Sequence, residues 1–195
     1  MSFRVLFVVF LLLPTVFAPA SAHDPWIDSW KQTMTSAAEA WTVSSDPESA
    51  EKLYGIALEN VLLHGPGTLR HARTLDELAY MNLMEGASGK AEALYLESIP
   101  MLEKLLGPDQ PRVATSLHNL GVLYLQGGRD DEAEAPIREA LRIWSSVLGP
   151  LHRDCARAYR SLSVLMRRQG RNVEADRLER LAEPHLTTPS DGPER

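Results

Sequence analysis

The chain has 195 residues, of which 44% are apolar, with 20 Lys+Arg against 26 Asp+Glu and one cysteine. This length carries one sizeable core or one short repeat array and falls short of two large domains. A net charge of −6 argues against a nucleic-acid partner, and a lone cysteine excludes an internal disulfide and any Cys-x-x-Cys metal or redox site.

Residues 1–22 read as a secretory signal peptide: Arg4 supplies a positive n-region, Val5 to Phe17 an apolar h-region, and Ala20-Ser21-Ala22 an A-x-A cleavage site. Pro14 interrupts the apolar run, which is shorter than the ~20 residues of a membrane-spanning helix. No second such run follows, so no membrane span is expected after cleavage. The mature chain, beginning at His23, is expected to be exported, periplasmic or secreted.

Residues 23–186 read as one array and 187–195 as a disordered Pro/Ser/Thr tail. Gly65-Pro66, Gly107-Pro108 and Gly149-Pro150 are 42 residues apart, and Gly86, Gly128 and Gly170 keep the same step. Between these marks the apolar residues follow helical spacing: Leu117, Leu120 and Tyr124 at i, i+3 and i+7, Tyr159, Leu162 and Met166 likewise, Leu75 and Leu78 in part. Strand signals are absent. The spacing predicts four helix-turn-helix units over about 27–64, 69–106, 111–148 and 152–186. Asp46 and Asp130 are expected N-caps, and Pro100, deep in a helix, is expected to kink it. Small residues recur in every unit: Ala38, Ala79, Gly121 and Ser163 on first helices, then Ala50, Ala91, Ala133 and Ala175 and, seven residues on, Ala57, Ser98, Ala140 and Ala182 on second helices. They let paired helices approach closely.

The segment "LGPDQPRVATSLHNLGVLYLQGGRDDEAEAPIREALRI" resembles a tetratricopeptide repeat of the long, 42-residue, kinesin-light-chain-like class. Leu117, Leu120, Gly121 and Tyr124 fit that family's first helix, and Ala133, Ile137 and Ala140 its second. Ala91, Tyr95 and Ser98 match in the preceding unit, and Met34, Ala37, Ala38, Trp41, Ala50, Tyr54 and Ala57, slipped by one residue, in the first. The slip is expected to be absorbed near Gly65. Glu179 stands where the family places an aromatic that packs on the next hairpin, so the array is expected to stop there. The resemblance implies an all-α, right-handed solenoid of about four repeats that binds protein or peptide on its concave face, and no enzyme.

By the same resemblance the first helices line a groove, whose candidates are Glu39, Arg73, Asp76, Tyr80, Thr115, His118, Asn119, Gln126, Arg157, Arg160, Arg167 and Arg168. Asn119 is a position where the family often carries asparagine; it would contact a bound backbone or satisfy a nearby turn. The four arginines fall by spacing on nearly one helical face, which suits an acidic ligand segment, although a solvated face is the alternative. Charge supports the asymmetry: residues 23–150 hold 10 Lys+Arg and 19 Asp+Glu, a net of −9, whereas 151–183 hold 8 Arg and 5 Asp+Glu, a net of +3.

Other chemistry finds little support. The six histidines show no H-x3-H or H-E-x-x-H spacing and read as scattered surface residues. His23 beside a free amino terminus leaves a copper-binding reading. "GASGKA" lacks the Ser/Thr after Lys90 that a phosphate loop needs, and no catalytic triad or dyad stands out, so no cofactor is expected. Cys155 is either a buried small apolar residue or a link to a second chain. Four repeats with open ends leave an alternative function, an oligomerisation module of the cell envelope.

Overall fold

Each stretch of helical apolar spacing forms a helix. The computed structural model describes residues 24–183, so the expected signal peptide, His23, His185 and the tail lie outside the described residues. There are eight helices among them: α1 (Pro25–Thr42), α2 (Pro47–His64), α3 (Leu69–Met84), α4 (Ser88–Leu106), α5 (Pro111–Gln126), α6 (Asp130–Val147), α7 (Arg153–Arg168) and α8 (Asn172–Ala182). They pair as four antiparallel hairpins, each packed on the next, an all-α repeat solenoid.

The turn inside a hairpin is written in the glycine series. Gly86, Gly128 and Gly170 take φ of +76°, +70° and +75°, and the residue after each donates its N–H to the carbonyl five residues back: Ala87 to Asn82, Arg129 to Tyr124, Arg171 to Met166. That left-handed stop with a backward bond closes the open end of the first helix and reverses the chain. Asp46 caps α2 as expected, accepting from Ser49 N at 3.0 Å. Asp130 does not cap α6. The helix begins one residue earlier than the acidic run suggests, with Arg129 at the cap, and the Asp130 carboxylate pairs instead with Arg168 at 3.1 Å. Neither Pro100 nor Pro136 ends its helix.

The small residues fix the packing register. Ala50, Ala91, Ala133 and Ala175 are wholly buried, as are Ala57, Ser98 and Ala140. At Gly121 an added Cβ would overlap Ile137 Cγ1 and meet the Ala133 carbonyl oxygen at 3.2 Å. In α1 the buried member of this column is Ala37, 0% exposed and 42 residues before Ala79, rather than Ala38. Trp30, Ala72, Ala114 and Ala156 keep the same step. The one-residue slip therefore begins inside the first hairpin, where Ser45 at φ +51° takes the place that glycine holds in the other three.

Buried side chains of α3 to α8 form one continuous core, while α1 and α2 contribute separate clusters around Tyr54 and around Trp30 and Val61. Cys155 belongs to the main core and is 0% exposed. The array ends on polar residues. Positions filled by buried His71, Thr74 and Met81 in α3 are Ser29, Gln32 and Glu39 in α1; those of His118, Asn119 and Leu125 in α5 are Arg160, Ser161 and Arg167 in α7. Glu179, standing in the column of Tyr95 and Ile137, accepts from Ser163 Oγ at 3.3 Å and from Arg167 at 2.6 Å.

Successive first helices, α3 with α5 and α5 with α7, touch one another more than successive second helices do, so the first helices line the inner side of the curve. Charge follows the same division. α1, α3, α5 and α7 carry 9 Lys+Arg and 5 Asp+Glu, a net of +4; α2, α4, α6 and α8 carry 7 and 14, a net of −7.

Candidate binding groove

The inner face holds a pocket of about 430 Å³ between α3, α5 and α7. From α3 come Asp76, Glu77 and Tyr80, from α5 Arg112, Thr115 and Asn119, from α7 Asp154 and Arg157, and Trp144 of α6 closes the back. The 42-residue step places them together: Arg112 and Asp154 occupy the same turn of adjacent first helices, and both line the one pocket.

Arg112 Nη2 donates to Asp76 Oδ2 at 3.2 Å and Glu77 Oε1 at 2.9 Å, tying α5 to α3. Ser116 Oγ donates to the other Asp76 oxygen. Burial nevertheless holds the Asp76 carboxyl above its usual range, with Ser116 and Arg112 opposing. Arg157 Nη1 donates to Asp154 Oδ1 at 3.2 Å. Trp144 Nε1 donates to the Pro111 carbonyl at 3.3 Å, which anchors the back wall to the start of α5.

His118 lies behind this wall, 4% exposed, its ring 5.4 Å from that of Trp144. Burial, and then the charge of Arg157, push its pKa down to about 4, so the ring is neutral near pH 7. The Ser161 hydroxyl donates to the Arg157 carbonyl and therefore accepts from His118 Nε2–H at 3.1 Å. That assigns the tautomer and leaves His118 Nδ1 as an acceptor with no partner. The other buried side-chain polar atoms without a partner among the described residues are Tyr95 Oη and Arg112 Nε. Of these residues Arg112 lines the pocket, and Asn119, which also lines it, stands beside both the Tyr95 hydroxyl and the His118 ring. Burial raises the Tyr95 phenol far above its ordinary range.

Five of the sequence candidates thus meet in the pocket: Asp76, Tyr80, Thr115, Asn119 and Arg157. Asp76 and Asn119 are buried in its walls, 8% and 7% exposed, and not open stripe residues. Gln126, Arg160 and Arg168 border a second inner recess of about 300 Å³ with Val122, Leu125 and Val164. Arg168 is engaged there with the Leu125 carbonyl at 2.6 Å and with Asp130. Arg160 is exposed and makes no ion pair among the described residues. Arg167 turns away to Asp176 and Glu179 of α8, so the single arginine face expected from spacing is divided. Glu39 and Arg73 lie outside both recesses; Arg73 sits 6.0 Å above the Trp30 ring. His71, like His118, is buried and not a surface residue: its Nδ1 accepts from Gly67 N at 3.2 Å.

Glu77, Arg112, Trp144 and Asp154 line the pocket beyond the sequence candidates. A signal for two of them exists in the chain: Asp28, Arg70, Arg112 and Asp154 form a column charged in all four units. Trp144 comes from a second helix, which a rule confined to first helices passes over. Among the described residues no group of three or more His, Cys, Asp or Glu could hold a metal ion, and no helix is long and apolar enough to cross a membrane.

Residues 90–143 match the family model described as tetratricopeptide repeat. A search of curated protein sequences finds no match. The structure is similar to BtubC (BKLC) from P. vanneervenii, with a TM-score of 0.74 and 21% identity over 90% of this chain and 71% of that one. It is similar to a candidate kinesin light chain of Podosopora anserina with nearly identical TPR-like repeats, with a TM-score of 0.67 and 17% identity over 86% of this chain and 79% of that one. It is also similar to a Rap protein complexed with Competence and Sporulation Factor, with a TM-score of 0.67 and 17% identity over 84% of this chain and 45% of that one.

Proposed function

We infer, for a chain that carries tetratricopeptide-repeat sequence over residues 90–143 and folds over its described length as a tetratricopeptide-repeat solenoid, that the inner face is a docking groove for a protein or peptide segment. The observation that carries this is the pocket of about 430 Å³ open on the inner face, lined by charged and polar side chains of three successive first helices. Charged and polar side chains in an open recess can pair with the polar groups of a docked segment. The Rap protein with a factor bound is a precedent for this fold taking a partner.

The segment is acidic toward the C-terminal hairpin. Net charge along the inner helices runs −1, 0, +1 and +4 from α1 to α7, and Arg160 has no carboxylate among the described residues to neutralise it. Export delivers the scaffold to the cell envelope through residues 1–22, whose pattern is that of a signal peptide. Catalysis has no part in this reading.

A random peptide library displayed against the mature chain tests the groove. Recovered peptides should carry acidic residues, and the Arg157→Glu, Arg160→Glu chain should bind them about tenfold or more weaker. Unchanged binding by that variant would remove the acidic segment from the proposal. For export, residues 1–30 fused to a reporter active only outside the cytoplasm should give activity; an inactive, unprocessed fusion would contradict it.

A further inference from the structure

We propose that a recess on the outer side of the last two hairpins binds a single-chain amphiphile with an anionic head, such as a fatty carboxylate. It lies between α6 and α8 with Tyr159 of α7 in its lining, and its volume of about 760 Å³ exceeds that of the groove pocket. Recesses of that size suit small molecules. None of its lining residues belongs to the two inner recesses, so the site is separate from the docking groove. The face of α8 that meets it carries Val173, Arg177, Arg180 and Leu181, which stand at i, i+4, i+7 and i+8 and form one stripe. Arg138 and Leu141 of α6 line the opposite side. Val173 is 85% exposed and Leu181 43%, so apolar surface lies open along the stripe. The preceding repeat has no such face. One step back, Val173 is Asp131, Arg177 is Ala135 and Leu181 is Glu139, so α8 has exchanged two carboxylates for aliphatic side chains and an alanine for a guanidinium. Solubility does not account for this exchange, because the closing helix of an array needs a polar outer face.

The charge of the lining points the same way. It holds four arginines and one carboxylate, Glu174, which Arg138 and Arg171 already engage. Arg177 and Arg180 make no ion pair among the described residues. They sit one turn apart on the stripe, a spacing that puts Cβ atoms about 5–6 Å from each other, so both guanidinium groups can reach one anionic head. The acyl chain then lies along Leu141, Tyr159 and Leu181. From Arg171 to Leu181 the helix rises about 15 Å, room for a chain of medium length. A small ligand matches the surroundings where a membrane or a long acidic segment does not. The rest of the outer wall, α2, α4 and α6, carries 5 Lys+Arg and 11 Asp+Glu and repels an anionic partner that extends beyond the recess.

Calorimetry on the full mature chain tests this, with dodecanoate held below the concentration at which it forms micelles. Dodecanoate should bind at one site, decanoate several-fold more weakly, and dodecyltrimethylammonium, of equal length and opposite charge, not at all. Two variants probe the two halves of the recess. Arg177→Glu with Arg180→Glu removes the head contacts, and Val173→Asp with Leu181→Glu restores the residues of the preceding repeat. Each should weaken dodecanoate about tenfold or more while leaving peptide capture by the groove unchanged. All four positions are exposed, so an unchanged circular dichroism spectrum should accompany the loss. No binding of dodecanoate, equal binding of the cationic amphiphile, several equivalent sites, or affinity untouched by both variants would overturn the proposal. An acidic peptide that still binds the Arg157→Glu, Arg160→Glu chain and is displaced by dodecanoate would make the recess a second peptide site and overturn the amphiphile.

Discussion

At Gly121 the two helices of the third hairpin approach closely, and the cost of a larger residue there is set by Ile137 and the Ala133 carbonyl. Gly121→Ala should lower stability by about 1–3 kcal/mol despite the better helix propensity of alanine. Adding Ile137→Val should recover part of that loss, read as thermal midpoints; a Gly121→Ala chain as stable as the parent would refute the close approach. His118 makes a second single-residue prediction. Its pKa of about 4 lies below the ordinary 6.5, so the folded state resists protonation. The neutral ring's contribution is complete above pH 6.5 and drains as pH falls toward 4, amounting to about 3 kcal/mol at most. Asp76 acts in the opposite sense, because its raised pKa makes the folded state take a proton more readily in acid. Urea midpoints should therefore fall between pH 6.5 and 4, and His118→Phe should flatten the fall. Parallel pH profiles for the two chains would count against it. The tautomer and burial of His118 were not legible in the chain, since a histidine on a first helix reads as a groove residue until Trp144 is seen against it.

Helices and their pairing were legible because apolar spacing, left-handed glycines and small residues all repeat at one step, and each follows from local backbone or packing geometry. What escaped was local competition. Asp130 is followed by two more acidic residues, and all three sit in the first turn of α6, where the helix's positive end favours them without a cap bond. Ala37 and Ala38 are adjacent alanines, and composition alone does not say which one faces α2. The columns that are unambiguous make firm tests. Ala133 is 0% exposed in α6 beside Gly121 of α5. Ala133→Glu should cost on the order of 3 kcal/mol or more by burying an unpaired charge. Near-parental thermal stability would contradict the register. The candidate site was half legible: first-helix positions follow from the repeat, but the residues that give the pocket its chemistry arrive from α6 and from the charged column at Arg112 and Asp154.

Across the molecule, cohesion is unequal. One core joins α3 to α8, whereas the first hairpin is held by two smaller clusters and by aromatic contacts such as Arg70 above Trp26 at 5.6 Å and Trp30 at 5.8 Å. In a quasi-linear array such a unit opens independently of its neighbours. Hydrogen exchange should find α1 and α2 least protected and α5 and α6 most protected; uniform protection would show a single cooperative block. Glu39 and Arg167 stand at the two ends where the interior hairpins bury Met81 and Leu125, and Glu179 stands in the column of Tyr95 and Ile137, so sedimentation should give a monomer at all concentrations. A concentration-dependent dimer would reopen the assembly module as a function.

The division of charge between inner and outer helices has a kinetic side. The acidic segment proposed above would meet repulsion from the outer wall and attraction at the inner helices, which would shorten wrong encounters and favour productive ones. Added salt should then slow capture far more than it hastens escape, making the solenoid's architecture a filter on arrival as well as a surface for residence.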